Sequence, residues 1–165
     1  MQLQQLKRFL VAFIATAAGA GFAPRAPGTA GTVMGVLLLL AVRDWSSPAV
    51  LLLGIGLFLA GWWATLEWSR GVGEPDSQKI VIDEVLGYLL AMGTLPRENS
   101  VIFIQFVLFR LLDATKPPPI RQFDLWGKRF PVGPLQSFGV IFDDLLAGAL
   151  SWVITAVLIR YFPLT

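Results

Sequence analysis

The chain contains no cysteine and no histidine. The first absence excludes disulfides, thiolate nucleophiles and soft-metal sites. The second removes the commonest general base and the commonest transition-metal ligand. Charge is also scarce: 15% of residues are Asp, Glu, Lys or Arg and the formal net charge is +2, where soluble domains carry about 25% charged residues. Any catalysis must therefore draw on carboxylates, amines, guanidinium groups, hydroxyls and a hard metal ion.

What the sequence does contain is apolar. Hydrophobic residues make up 55% of the 165 positions, and the mean hydropathy is +0.67. Soluble domains hold about 45–50% apolar residues. Six Trp and twelve Phe supply interface and packing material. The composition reads as an integral membrane protein, and the length suits a single domain over 1–165. Lys7-Arg8 precedes an apolar run, and Ala18-Gly19-Ala20 resembles a cleavage site. The segment is nonetheless expected to be retained, at the interface or re-entrant.

Apolar stretches over 30–42, 48–68, 80–95, 100–115 and 138–160 predict helices. Between them, 19–32 holds Pro24, Pro27 and several glycines and predicts an irregular loop. Residues 69–79 and 120–137 read as polar connections. The expected fold is all-α: one polytopic membrane domain with about four or five embedded helices plus an N-terminal apolar segment.

Acids interrupt the apolar helices. Asp83–Glu84 lies between Ile80-Val81-Ile82 and Val85-Leu86, and Asp143–Asp144 between Val140-Ile141-Phe142 and Leu145-Leu146. Asp113 ends the run 106–112. A carboxylate at a membrane-helix centre costs roughly 2.5–3.5 kcal/mol on insertion scales, and adjacent ones also repel. A divalent cation is the simplest compensation. The bland alternative is stabilisation of helix N-termini through the helix dipole, which suits a lone acid better than two pairs.

Loop charges place these acids. Lys7, Arg8, Arg25, Arg70, Lys79, Lys116, Arg121, Lys128 and Arg129 fall on one side of the predicted topology, with Arg110 adjoining. Arg43, Arg97 and Arg160 fall on the other. The first side is expected to be cytoplasmic, and the acids gather at that end.

Arg110, Asp113 and Lys116 are spaced three apart and share a helix side. They read either as a local salt bridge or as a metal ligand flanked by a phosphate clamp. Thr29 and Thr32, with the backbone of the Gly-Pro loop, read either as an anion cradle or as an ordinary turn. No Walker A lysine follows that loop, and neither the Asp-x-Asp-x-Thr/Val nor the Asp-Gly-x-x-Ala-Arg motif occurs. Together these parts suit phosphoryl chemistry at a magnesium site.

Four ordered blocks then resemble the phosphatidylglycerophosphatase A family. They are Gly19-Ala20-Gly21-Phe22-Ala23-Pro24-Arg25-Ala26-Pro27-Gly28-Thr29-Ala30-Gly31-Thr32, Asp76-x-x-x-Ile80-Val81-x-Asp83-Glu84-x-x-Gly87, Phe109-Arg110-Leu111-Leu112-Asp113-x-x-Lys116-Pro117-x-Pro119-Ile120-Arg121-x-Phe123-Asp124 and Gly139-Val140-Ile141-Phe142-Asp143-Asp144-Leu145-Leu146-Ala147-Gly148. One departure is Gln136-Ser137, where the family often has Gly-Gly. The resemblance implies a magnesium-dependent phosphatase that removes the terminal phosphate of phosphatidylglycerol phosphate at the cytoplasmic face of the bacterial inner membrane. It implies Asp83, Glu84, Asp113, Asp143 and Asp144 as catalytic, Mg2+-holding residues. Arg110, Lys116 and Arg121 would contact the substrate, with Arg25, Thr29 and Thr32 of the Gly loop closing over it; Asp76 and Asp124 are secondary candidates. Partners are the lipid substrate and the membrane, with no nucleic acid; oligomeric state stays open. The alternatives are an ion- or proton-coupled carrier built on intramembrane carboxylates, or a phosphatase for another lipid monoester such as phosphatidic acid.

Overall fold

Proline and glycine set several helix boundaries. In the computed structural model, which describes residues 1–74 and 76–162, every helical or extended segment assigned is helical. Pro75, part of the expected 69–79 loop, lies outside the described residues. The elements are α1 (Gln2–Ala15), a 3-10 turn (Ala20–Phe22), α2 (Pro27–Ala41), α3 (Ser47–Val72), α4 (Ile82–Met92), α5 (Asn99–Thr115), α6 (Ile120–Gly127) and α7 (Pro134–Tyr161). Helices α2, α3 and α7 each carry proline in their first two positions, where a missing N–H breaks no bond. Gly73 caps α3 in the left-handed conformation, φ +77.

Two sequence expectations need correcting. The irregular segment expected over 19–32 ends at Ala26, and α2 begins at Pro27. Its glycines serve packing: a Cβ on Gly31 would lie 2.8 Å from Val81 Cβ, and one on Gly35 would lie 3.3 Å from the Tyr88 ring. The polar stretch 120–137 likewise contains a helix, α6, and the start of α7. Buried Ile120 and the close approach of Gly127 to Gly139 pin α6 to the body of the protein.

Helix α4 is the axis of the molecule. Leu86, Tyr88, Leu89 and Met92 are completely buried, and α2, α3, α5 and α7 surround them. The Tyr88 hydroxyl donates to the Ile102 carbonyl at 2.9 Å. Lower down, α5 and α7 are joined by a buried polar relay. Gln105 donates to Ser151 Oγ at 2.7 Å and accepts from Thr155 at 2.6 Å. Such interhelical bonds fix rotation and register where apolar packing alone is permissive.

The outer faces of the surrounding helices are apolar. Leu37, Leu52, Ile55, Phe103, Leu111 and Val157 are all exposed, a pattern that marks contact with lipid or another apolar surface. Helices α3 and α7 are long and apolar enough to cross a membrane. Helices α2, α4 and α5 have 15, 11 and 17 residues. At 1.5 Å per residue these are about 22, 16 and 25 Å long, short of a hydrocarbon core of about 30 Å.

The bundle has two distinct ends. At one, Arg97 donates to the carbonyls of Val42, Arg43 and Trp45, tying the α2–α3 turn to the α4–α5 turn. At the other lie the start of α2, the start of α4, the end of α5 and the second half of α6. Helix α1 keeps to this second end. Lys7 pairs with Glu67 near the end of α3, and the Ala15 carbonyl accepts from Val81 N–H just before α4.

Candidate active site

Close helix contact assembles the acidic site. A Cβ on Gly87 of α4 would sit 2.6 Å from the Asp144 carbonyl oxygen of α7, and one on Gly148 would strike the Gly87 carbonyl. With no side chain at either position, the two backbones touch. Asp83 lies one turn before Gly87 and Asp144 one turn before Gly148, so the contact brings the two acidic pairs face to face. Ligand oxygens of Asp83, Glu84 and Asp144 lie within 4.8 Å of one another.

The cluster sits in a cavity of about 470 Å³ lined from α2, α4, α5, α6 and α7 and from the segment 76–80. Asp83, Asp113, Asp143 and Asp144 are buried there. Glu84 Oε2, Asp143 Oδ1 and Asp144 Oδ2 are buried and accept no hydrogen bond. Buried carboxylate oxygens without donors are strongly disfavoured. The ligand oxygens of Asp83, Glu84 and Asp144, within 4.8 Å of one another, form a hard-oxygen donor set of the kind that holds magnesium, manganese or calcium. The residues present therefore fit a divalent cation, with Asp83, Glu84 and Asp144 as the holding set and Asp143 beside them.

Cations of the protein itself surround this core. Arg110 forms an ion pair with Asp113. It also lies next to Gly28, where an added Cβ would be 3.1 Å from Arg110 Nη2 and in contact with Glu84. Ala26, Pro27 and Gly28 bring the N-terminus of α2 to the cavity wall with Arg25. Its first helical N–H groups have no intrahelical acceptor. An anion held at that helix start, between Arg25 and Arg110, would lie directly beside the acidic cluster.

A second charge network closes the opposite wall. Lys116 forms an ion pair with Asp143 and donates to Asp124 at 2.8 Å. Lys128 contacts Asp124 at 2.8 Å and Asp76 at 3.3 Å. Burial raises the pKa of the Asp124 carboxyl, but hydrogen bonds from Lys116 and Lys128 outweigh that and hold it below its ordinary value. Burial alone would weaken the Lys116 ammonium; the charges of Asp143 and Asp124 reverse the effect and keep it firmly protonated. Lys116 also caps α5 at φ +43, a conformation that disfavours side chains with a Cβ. Replacing Lys116 by methionine is expected to lower stability by about 1–3 kcal/mol, because it removes the ion pair of Asp143 and leaves Asp124 with Lys128 alone. Thermal unfolding in detergent checks this, and adding Asp143→Asn should restore most of the loss.

The sequence-predicted residues divide cleanly. Asp83, Glu84, Asp113, Asp143, Asp144, Arg25, Arg110 and Lys116 line one cavity, with Asp76 and Asp124. Three expected residues do not line it. Thr29 faces an adjoining pocket, Thr32 is buried and donates to the Gly28 carbonyl at 3.0 Å, and Arg121 is exposed on α6. Among the lining residues given no site role in the sequence reading are Lys128 and Gln136. Lys128 is four residues after Asp124 on α6, a spacing that could have signalled it. Gln136, noted only as a departure from Gly-Gly, is buried against the cavity.

The sequence matches the profile of the phosphatidylglycerophosphatase A family over residues 13–159. It is 34% identical to phosphatidylglycerophosphatase A of Haemophilus influenzae, with 92% of this chain and 89% of that protein covered. It is 31% identical to phosphatidylglycerophosphatase A of Escherichia coli, covering 92% and 84% respectively. A Bacteroides thetaiotaomicron protein provisionally named as a phosphatidylinositol-3-phosphatase is 31% identical, covering 90% and 93%. No solved structure matches the chain significantly.

Proposed function

Because the chain belongs to the phosphatidylglycerophosphatase A family of phosphatases, we propose that it hydrolyses the terminal phosphomonoester of phosphatidylglycerol phosphate with a magnesium ion held by Asp83, Glu84 and Asp144. The observation that carries this reading is the convergence of Asp83, Glu84 and Asp144, whose ligand oxygens lie within 4.8 Å of one another, with buried oxygens of Glu84 and Asp144 that accept no hydrogen bond. The ion-coupled carrier considered from the sequence is displaced by the family assignment.

The bound cation would supply Lewis acidity and neutralise charge on the phosphoryl group. The chain's own groups do the rest. The start of α2, Arg25 and Arg110 receive the phosphate oxygens. Asp113 holds Arg110 by their ion pair, so the guanidinium is aimed before substrate arrives. Lys116 forms an ion pair with Asp143 at the cavity wall. In the net reaction a P–O bond to the lipid headgroup breaks, a P–O bond to a water-derived oxygen forms, and the headgroup oxygen leaves as a hydroxyl.

The membrane arrangement we propose has α3 and α7 crossing the bilayer and α2, α4 and α5 embedded between them. The site end faces the cytoplasm, and α1 lies along that interface. Support comes from the excess of lysine and arginine at the site end and from the exposed apolar face of α1, with Leu3, Leu6 and Phe13 outward. In a bacterium with two membranes this is the inner membrane.

A second reading keeps the chemistry and changes the lipid. The Bacteroides relative is named for a different lipid phosphomonoester, and nothing in the cavity's charged lining reads a glycerol headgroup alone. Purified protein in detergent should release phosphate from phosphatidylglycerol phosphate with magnesium and lose that activity in chelator. A panel with phosphatidic acid and phosphatidylinositol 3-phosphate ranks the substrates. Release from another lipid alone would overturn the substrate assignment, and full activity in chelator would overturn the metal.

A further inference from the structure

A charged site at the end of an apolar bundle must admit a lipid from the side. Two seams open on the outer surface near the site helices. One lies between α2 and α5, lined by Val33, Leu40, Phe103 and Phe106. The other lies between α4 and α7, lined by Leu90, Ala149 and Trp152.

The two differ in how they connect. The active-site cavity shares Arg25 and Ala26 with a pocket beneath the 20–26 segment. That pocket shares Val33 with the α2–α5 seam. These pockets therefore form a track, each sharing lining residues with the next, from the phosphate-receiving end of α2 down its outer face. Gly28 to Leu40 is 12 residues of one helix, about 18 Å along the axis. On α5 the same track descends from Arg110 through Phe106 to Phe103, spaced one turn apart. Its top is cationic and its lower wall is almost wholly apolar. The α4–α7 seam shares no lining residue with the active-site cavity.

We propose that the α2–α5 seam is the acyl-chain groove of the substrate, with Val33 at its upper constriction. This rests on the lipid-phosphatase reading above and adds the path by which the lipid is held. The phosphate lies at the start of α2 between Arg25 and Arg110, and an acyl chain follows Val33 towards Leu40. The groove determines how tightly long-chain substrates bind, whereas the carboxylate cluster determines turnover.

Val33→Trp tests this, because Val33 is 42% exposed and the larger ring can occupy the groove without entering the core. KM for a long-chain phosphatidylglycerol phosphate should rise about tenfold from lost apolar contact. The kcat should hold, and a short-chain, water-soluble analogue should be unaffected. Ala149→Trp in the other seam should change neither. An unchanged long-chain KM in Val33→Trp overturns the groove while leaving the phosphatase reading intact. An equal loss with the short-chain analogue, or the same loss in Ala149→Trp, also overturns it. Hydrolysis of neither substrate by the unaltered protein overturns both. A substrate analogue with a photoreactive acyl chain gives a second readout on the unaltered chain. Adducts on α2 and α5 support the groove; adducts confined to α4 and α7 contradict it.

Discussion

Asp144→Asn should lower phosphate release about a thousandfold or more while leaving the metal-free protein at least as stable as before. Asparagine matches the shape of aspartate and removes only the charge. Asp144 stands at the junction of α4 and α7, its ligand oxygen within 4.8 Å of those of Asp83 and Glu84. One of its oxygens is buried without a donor. In the absence of a cation this is a concentration of like charge in a site shielded from water, and each charge removed relieves repulsion. Function and stability should therefore move in opposite directions. Thermal unfolding in chelator and phosphate release in magnesium read the two separately. A variant that unfolds much earlier would mean that Asp144 serves the fold. One that retains more than about a tenth of its activity would show that it holds no essential charge.

Gly87→Ala is the second large effect, and it touches no charged group. The new methyl would lie 2.6 Å from the Asp144 carbonyl oxygen and 2.8 Å from the Phe109 ring. Neither neighbour is the free end of a flexible chain, so α4 and α7 must separate. Overpacking of this kind costs about 1–3 kcal/mol. Displacing Asp83 and Glu84 from Asp144 by about 1 Å should cost about a hundredfold in turnover. Gly56→Ala on α3 is the matched comparison: a methyl added there would meet no atom within 4 Å. At that position the gain in helix propensity, up to about 1 kcal/mol, should leave activity untouched. Equal activity loss in both variants would separate the effect from the α4–α7 contact.

Much of the site was legible because charge in an apolar sequence is conspicuous. Asp83–Glu84, Asp113 and Asp143–Asp144 stood out against Ile, Val, Leu and Phe, and they line one cavity. The spacing of Arg110, Asp113 and Lys116 also carried its geometry, since one helix turn returns the chain to the same face. What the sequence could not convey was pairing across elements. Lys116 read either as part of a local salt bridge with Asp113 or as part of a phosphate clamp, yet it is engaged by Asp143 and by Asp124, a residue of a helix read as polar loop. Glycine was the other ambiguity. Gly28 and Gly31 looked like helix breakers, but both lie within α2 and let it approach Glu84, Arg110 and Val81. A glycine that permits close packing and one that breaks a helix are the same letter, and only the neighbouring backbone distinguishes them. Helix lengths were similarly hidden. Apolar runs of comparable strength become α3 and α7, with 26 and 28 residues, but also α4 with 11, whose apolar side chains are buried among α2, α3, α5 and α7.

In the proposed function Asp83, Glu84 and Asp144 form one cation site at the junction of α4 and α7. Manganese is its most direct probe, being a hard divalent ion that takes the same oxygen ligands and scatters anomalously. Crystals of the protein grown with manganese should show an anomalous peak enclosed by the side chains of these three residues, absent in Asp144→Asn. A peak lying elsewhere, or no peak among these carboxylates at saturating manganese, would mean that the three residues do not form a cation site.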